Sequence, residues 1–119
     1  IGNLTSQHFA NLYLDQVDHF IKDVLGIKGY VRYMDDMVLF GNEKSELWDA
    51  FVEIDRFLYE SLRLSVKTQS VILSPNFEGI SFLGFRVFPG VLRIDRRGWK
   101  RFRYKFIKKH RAFEKGLID

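Results

Sequence analysis

The sequence predicts an α+β fold: antiparallel hairpins layered with amphipathic helices. Three observations predict it. Apolar residues recur at helical spacing over 9–24, 47–62 and 99–113. Between those stretches lie short runs dense in aromatic and branched residues, 30–40 and 80–94, of strand length. Turn formers punctuate the chain at Gly26, Gly29, Gly41-Asn42, Ser74-Pro75-Asn76 and Pro89-Gly90.

Each element follows in order. Residues 1–7 form a polar, Gly-containing lead-in, with Asn3, Thr5 and Ser6 as possible helix caps. Phe9, Leu12, Tyr13, Val17, Phe20, Ile21 and Val24 then share one helix face, leaving Asp15, Asp18 and Asp23 as solvated residues on other faces. Tyr30–Phe40 reads as two short buried strands. A second helix is expected over Lys44–Leu62, with Leu47, Phe51, Ile54, Leu58 and Leu62 inward and an acidic outer face. Residues 63–67 and 71–73 are candidate short strands. A second hairpin is expected from strands at 81–88 and 91–94 around Pro89-Gly90. From Arg96 onward a basic helix carries Trp99, Phe102, Phe106, Ile107 and Phe113 on one side.

With 119 residues, 46% hydrophobic content and twelve Phe, the chain suits one packed domain with a modest core. It has no Cys, which excludes disulfides and thiolate metal sites. No apolar run approaches the ~18 residues that span a bilayer and no signal peptide is present, so no membrane partner is expected; the lack of Cys fits the cytoplasmic location expected. Ile1 in place of an initiator Met fits a segment of a longer protein. Charge is uneven: residues 1–92 carry 8 basic and 12 acidic side chains, residues 93–119 carry 11 and 3. That asymmetry points to nucleic acid, with a basic helix facing solvent as the plainer alternative.

The chemistry concentrates in Tyr33-Met34-Asp35-Asp36. Apart from Arg32, the two acids are the only charges between Tyr30 and Phe40. The residues between the strands include no Gly or Asn to supply a positive φ. Adjacent carboxylates between apolar strands repel one another and are costly to desolvate. A divalent cation such as Mg²⁺, which takes carboxylate oxygens, offsets both costs. The alternative is a solvated Asp-Asp turn closing an ordinary hairpin.

Four segments, in order, give the chain a family resemblance: Ile1-Gly2-Asn3-Leu4-Thr5-Ser6-Gln7, Arg32-Tyr33-Met34-Asp35-Asp36, Leu62 to Thr68, and Phe82-Leu83-Gly84-Phe85. It resembles the palm domain of reverse transcriptases from its middle to its end. The Ile-Gly-x-x-x-Ser-Gln form of the first segment is most similar to bacterial diversity-generating retroelement enzymes and group II intron-like relatives.

The resemblance implies that residues 1–95 are the C-terminal part of a palm, an antiparallel sheet with helices packed on one face, and that 96–119 begin a helical thumb. It implies an RNA-directed DNA polymerase using an RNA template, a DNA primer and dNTPs. Asp35 and Asp36 would hold two Mg²⁺ ions, with Mn²⁺ as a possible substitute, for nucleotidyl transfer. Ile1, Gly2, Ser6, Gln7 and Tyr33 would line the nucleotide pocket, and Ile1 in place of the usual Gln would relax nucleotide selection.

Lys67 falls near a family lysine that serves the leaving pyrophosphate; a solvated strand lysine is the alternative. Phe82, Leu83, Gly84 and Phe85 match the primer grip, against a core strand with Gly at a bulge. Arg97, Lys100, Arg101 and Lys108 would meet template–primer phosphates. An incomplete palm or thumb surface could also pair with a second copy. The family's third metal-binding Asp lies on an earlier strand that these residues do not contain, so the 119 residues alone are expected to be catalytically silent. The competing class is a non-catalytic nucleic-acid-binding module, or a folded retroelement remnant, neither of which needs the acids.

Overall fold

The computed structural model describes residues 3–117; the Ile1 and Gly2 assignments lie outside them. Helix α1 (Leu4–His19) runs into a π-helical turn (Phe20–Val24), followed by strands β1 (Gly29–Tyr33) and β2 (Asp36–Phe40) and helix α2 (Lys44–Leu62). After two 3₁₀ turns come β3 (Ile80–Phe82), β4 (Phe85–Phe88), β5 (Val91–Ile94) and helix α3 (Arg96–Glu114). The fold is α+β, with one two-stranded and one three-stranded sheet, both antiparallel. None of the described helices is long and apolar enough to cross a membrane. The chain divides into two compact units, 1–73 and 74–119.

In the first unit, the Asn3 side chain caps α1 by accepting from the Ser6 amide at 3.1 Å, so the helix begins at Leu4, within the stretch expected to be a lead-in. Val17 and Ile21 are fully buried against Ile54, Leu58 and Leu62 of α2. Phe20 and Phe57 stack beside them, ring centroids 4.3 Å apart. Of the predicted α1 face only Val17, Phe20 and Ile21 find this partner, and Val24 beyond them is exposed. Phe9 and Leu12 stay exposed, and Tyr13, also largely exposed, donates from its hydroxyl to the Leu62 carbonyl at 2.6 Å. The π turn ends at Gly26, whose φ of +68° lets the chain reverse while the Ile27 amide bonds the Ile21 carbonyl.

Tyr30, Met37 and Leu39 pack on the α1–α2 core, so both helices lie on one face of the β1–β2 hairpin. Residues 63–67 are not a strand. Arg63 takes a left-handed φ of +53° and caps α2, and the following backbone is held by a bond from the Val66 amide to Asp55 instead of a β partner. Residues 71–73 form no strand either, since they find no ladder to join.

In the second unit, the expected strand at 81–88 is two strands. Leu83 (φ +52°) and Gly84 (φ +82°) make a two-residue turn between Phe82 and Phe85, the sign pattern of a type I′ hairpin. The Asp95 amide donates to the Gly84 carbonyl at 2.9 Å, docking the start of α3 on that turn. A Cβ at Gly98 would come within 3.3 Å of Ile94, so a small residue suits this close approach. Arg93 lies over the Phe88 ring at 5.4 Å.

Candidate active site

The β1–β2 hairpin pairs Tyr30 with Leu39, Arg32 with Met37 and Tyr33 with Asp36, leaving Met34 and Asp35 as the turn. Strand alternation then sorts the side chains. Tyr30, Arg32, Met37 and Leu39 face the helices, while Val31, Tyr33, Asp36, Val38 and Phe40 make the other face. Tyr33, which is 58% exposed, stands directly across from Asp36 on that open face.

Met34 supplies the positive φ that the sequence lacked an obvious residue for, at +55°. A non-glycine residue in that conformation costs roughly 1–2 kcal/mol. The turn persists because its neighbours hold it. Arg32 donates from Nη1 to the Met34 carbonyl at 2.9 Å. The same guanidinium grips Asp18 of α1 through Nε and Nη2, each at 2.7 Å, and Nη1 also reaches Asn11 Oδ1 at 3.0 Å. The Tyr30 hydroxyl donates to Asp18 Oδ1 at 2.8 Å.

Asp18 is therefore not a solvated surface acid. A cation placed on the helix-facing side of a strand must be paired, and Asp18 is the carboxylate within reach. Burial pushes its carboxyl up, but the bonds from Arg32 and Tyr30 and the Arg32 charge outweigh that and hold it below the ordinary value. Burial and the bond to Asp18 push the Tyr30 phenol up; the bond to Asp18 pushes Arg32 up. Arg32 as the lone base in an apolar run was the signal for this network. Its partners Asp18 and Asn11 carried none that spacing could read.

Asp35 and Asp36 are both exposed, so the desolvation cost expected between buried strands does not arise: the turn projects them into solvent. Among the described residues neither forms an ion pair. Their oxygens are the hard, anionic donor type that Mg²⁺ or Mn²⁺ takes. They fit such an ion in chemistry, as two ligands of a larger set. Among the described residues no group of three or more His, Asp or Glu side chains is arranged to hold a metal.

The other assigned residues are distributed as follows. Ser6 and Gln7 sit in the first turns of α1, and Gln7 lies one helical turn before Asn11, on the side that meets Arg32. Lys67 is exposed just ahead of a 3₁₀ turn, off any strand, and no hydrogen bond or ion pair joins it to the hairpin among the described residues. Phe82–Phe85 form the β3–β4 turn, in the second unit.

Arg97, Lys100, Arg101 and Lys108 are exposed on α3, and 3.6-residue periodicity puts them opposite its aromatic stripe. That stripe is stacked: Trp99 on Phe102 at 5.8 Å, Phe102 on Phe106 at 6.0 Å, then Phe106 near His110 at 6.1 Å. His19, assigned no role, lies between two carboxylates of its own helix. Its Nδ1 is 2.9 Å from Asp23 and its Nε2 3.6 Å from Asp15, and the Asp23 bond, with both charges, raises its pKa.

No protein-family model matches this chain, and no curated protein sequence matches it.

Proposed function

We propose that this chain is part of an RNA-directed DNA polymerase, with the Tyr33–Asp36 hairpin supplying two of the carboxylates that hold its catalytic cations. The observation that carries the reading is the pair Asp35 and Asp36, exposed and without ion-pair partners among the described residues, at a turn whose strained Met34 is braced by Arg32. Backbone held in a sparsely populated conformation by surrounding bonds is characteristic of functional sites.

In this reading Asp35 and Asp36 bind Mg²⁺, or Mn²⁺ in its place. Ions held there would supply the charge that lowers the pKa of the primer 3′-hydroxyl and neutralises the triphosphate of the incoming dNTP. Tyr33, across from Asp36, gives the nucleotide a surface to rest on. Ser6 and Gln7 lie at the start of α1, the helix whose Asn11 and Asp18 meet Arg32. Neither strand of the hairpin has a second β partner among the described residues, which leaves edges for the strand on which the family carries its third carboxylate. Among the described residues no hydrogen bond or ion pair of Lys67 supports a role at the leaving pyrophosphate.

The primer-grip reading of Phe82–Phe85 gains from the tight Leu83-Gly84 turn, whose residues are exposed. A phosphate-binding role for α3 gains from Arg97, Lys100, Arg101 and Lys108, which are exposed and form no ion pair among the described residues. Those same features favour the competing reading, a nucleic-acid-binding module that stacks bases on aromatic rings and needs neither acid.

RNA-templated primer extension decides between them, in a protein that carries these residues with their natural upstream sequence. Asp35→Asn and Asp36→Asn are each expected to abolish synthesis while leaving primer–template binding intact. Synthesis unaffected by Asp35→Asn would sink the polymerase reading.

A further inference from the structure

We propose that Arg32 is a positioning residue for Asp35, acting through the Met34 carbonyl, and that Asp18 is the anchor that aims it. The inference rests on the reading of the hairpin as a divalent-cation site.

The Met34 carbonyl and the Asp35 amide belong to one planar peptide unit. In a two-residue hairpin loop that unit can face either way. The two orientations are the type I′ and type II′ turns, which differ in whether the second central residue also takes a positive φ. Here φ is positive at Met34 and not at Asp35, the type II′ pattern. A flip would force Asp35 into a left-handed conformation and swing its Cα–Cβ bond, carrying the carboxylate away from its present direction.

Arg32 holds the peptide against that flip by donating from Nη1 to the Met34 oxygen at 2.9 Å. Nothing about a flexible side chain would make this bond selective unless its other end were fixed. Asp18 fixes it, bonded to Nε and Nη2 at 2.7 Å each, with Asn11 taking a share of Nη1. The planar fork is thus anchored at one edge and directs its remaining donor at one backbone oxygen. A lysine ammonium at this position could meet Asp18 or Met34 but lacks the geometry to hold both. The pair is well shielded, the Arg32 side chain being 10% and Asp18 23% exposed, so water does not readily replace either bond.

The test is an Mn²⁺ titration of the 119-residue chain. It follows paramagnetic broadening at the Asp35 and Asp36 amides, the φ-dependent three-bond coupling of Asp35, and the thermal midpoint. Arg32→Lys and the charge-swapped pair Asp18→Arg with Arg32→Asp are compared with the wild type and with Asp35→Asn. The swap restores an ion pair between α1 and β1 but has no donor for the Met34 carbonyl.

Both variants are expected to need at least about tenfold more Mn²⁺, the usual loss when a group orienting a metal ligand is removed. The Asp35 coupling should change with it, even where the thermal midpoint recovers. Arg32→Lys keeps the test decisive if the swap does not fold. Wild-type Mn²⁺ response or an unchanged Asp35 coupling in a folded variant overturns the positioning role alone. Wild-type broadening that Asp35→Asn leaves intact, or that never develops, overturns the cation site and this inference together.

Discussion

Arg32 meets both carboxylate oxygens of Asp18, fourteen residues earlier in the chain, at 2.7 Å each. This bidentate pair ties β1 to α1 independently of the apolar core and lies between that core and the hairpin turn. Because the pair is largely shielded, removing one member leaves the other charged and short of partners, which costs more than the pair itself contributes.

Asp18→Asn is accordingly expected to lower unfolding free energy by roughly 1.5–3 kcal/mol, the range for hydrogen bonds to charged groups. Chemical denaturation measures the loss. Amide exchange should place it at β1 and β2 first, with the α2 amides around Leu58 least affected.

The same pair sets an acid limit. The Asp18 carboxyl is held below its ordinary value in the folded chain, so its contribution is present above pH ~4 and is lost as pH falls through the lowered value. Wild-type stability should therefore fall on acidification below pH ~4 more steeply than that of Asp18→Asn, which lacks the titrating group. Parallel curves for the two proteins would contradict the assignment.

His19 works in the opposite sense. Its bond to Asp23 and the Asp15 and Asp23 charges raise its pKa, so its favourable contribution is full below pH ~6.5 and disappears as pH rises through the raised value. Histidine NMR titration should show His19 losing its proton at higher pH in the wild type than in Asp23→Asn.

Leu83 occupies a left-handed position in the β3–β4 turn, followed by Gly84. Asn-Gly is the favoured pair for such a turn, so Leu83→Asn should stabilise the second unit by about 1 kcal/mol, reduced by whatever burial Leu83 contributes. If Leu83 instead belongs to a primer-binding surface, this more stable variant will bind primer–template less well. Thermal unfolding and a binding titration separate the two effects.

On α3, Arg97→Gln and Arg101→Gln are each expected to weaken nucleic-acid binding evenly across sequences and to lower the salt slope by about one. Trp99→Ala should weaken single-strand binding with little change in salt slope, because stacking releases no counterions. Fluorescence anisotropy at several salt concentrations reads both.

Much of the architecture follows from local pattern. The Lys44–Leu62 stripe defined α2, because an amphipathic helix of that length announces itself by periodicity. The Tyr33–Asp36 tetrapeptide likewise marked the hairpin turn, since its two acids are, apart from Arg32, the only charges between Tyr30 and Phe40. Local pattern also misled. The alternation at 63–67 looks like a strand, but a strand needs a ladder, and none lies alongside. Phe82-Leu83-Gly84-Phe85 looks continuous, yet Gly84 and a tolerant Leu83 let the chain reverse there.

What the sequence by itself determined is the α+β class, the principal helices, and two acids set at a turn between apolar strands. Only the tertiary structure decided that those acids are solvated, that Met34 takes the strained φ, and that Asp18 and Asn11 of α1 reach across to Arg32. The reason is physical. Periodicity records which face of an element seeks the core, whereas the partner of a buried charge depends on which elements the core brings side by side.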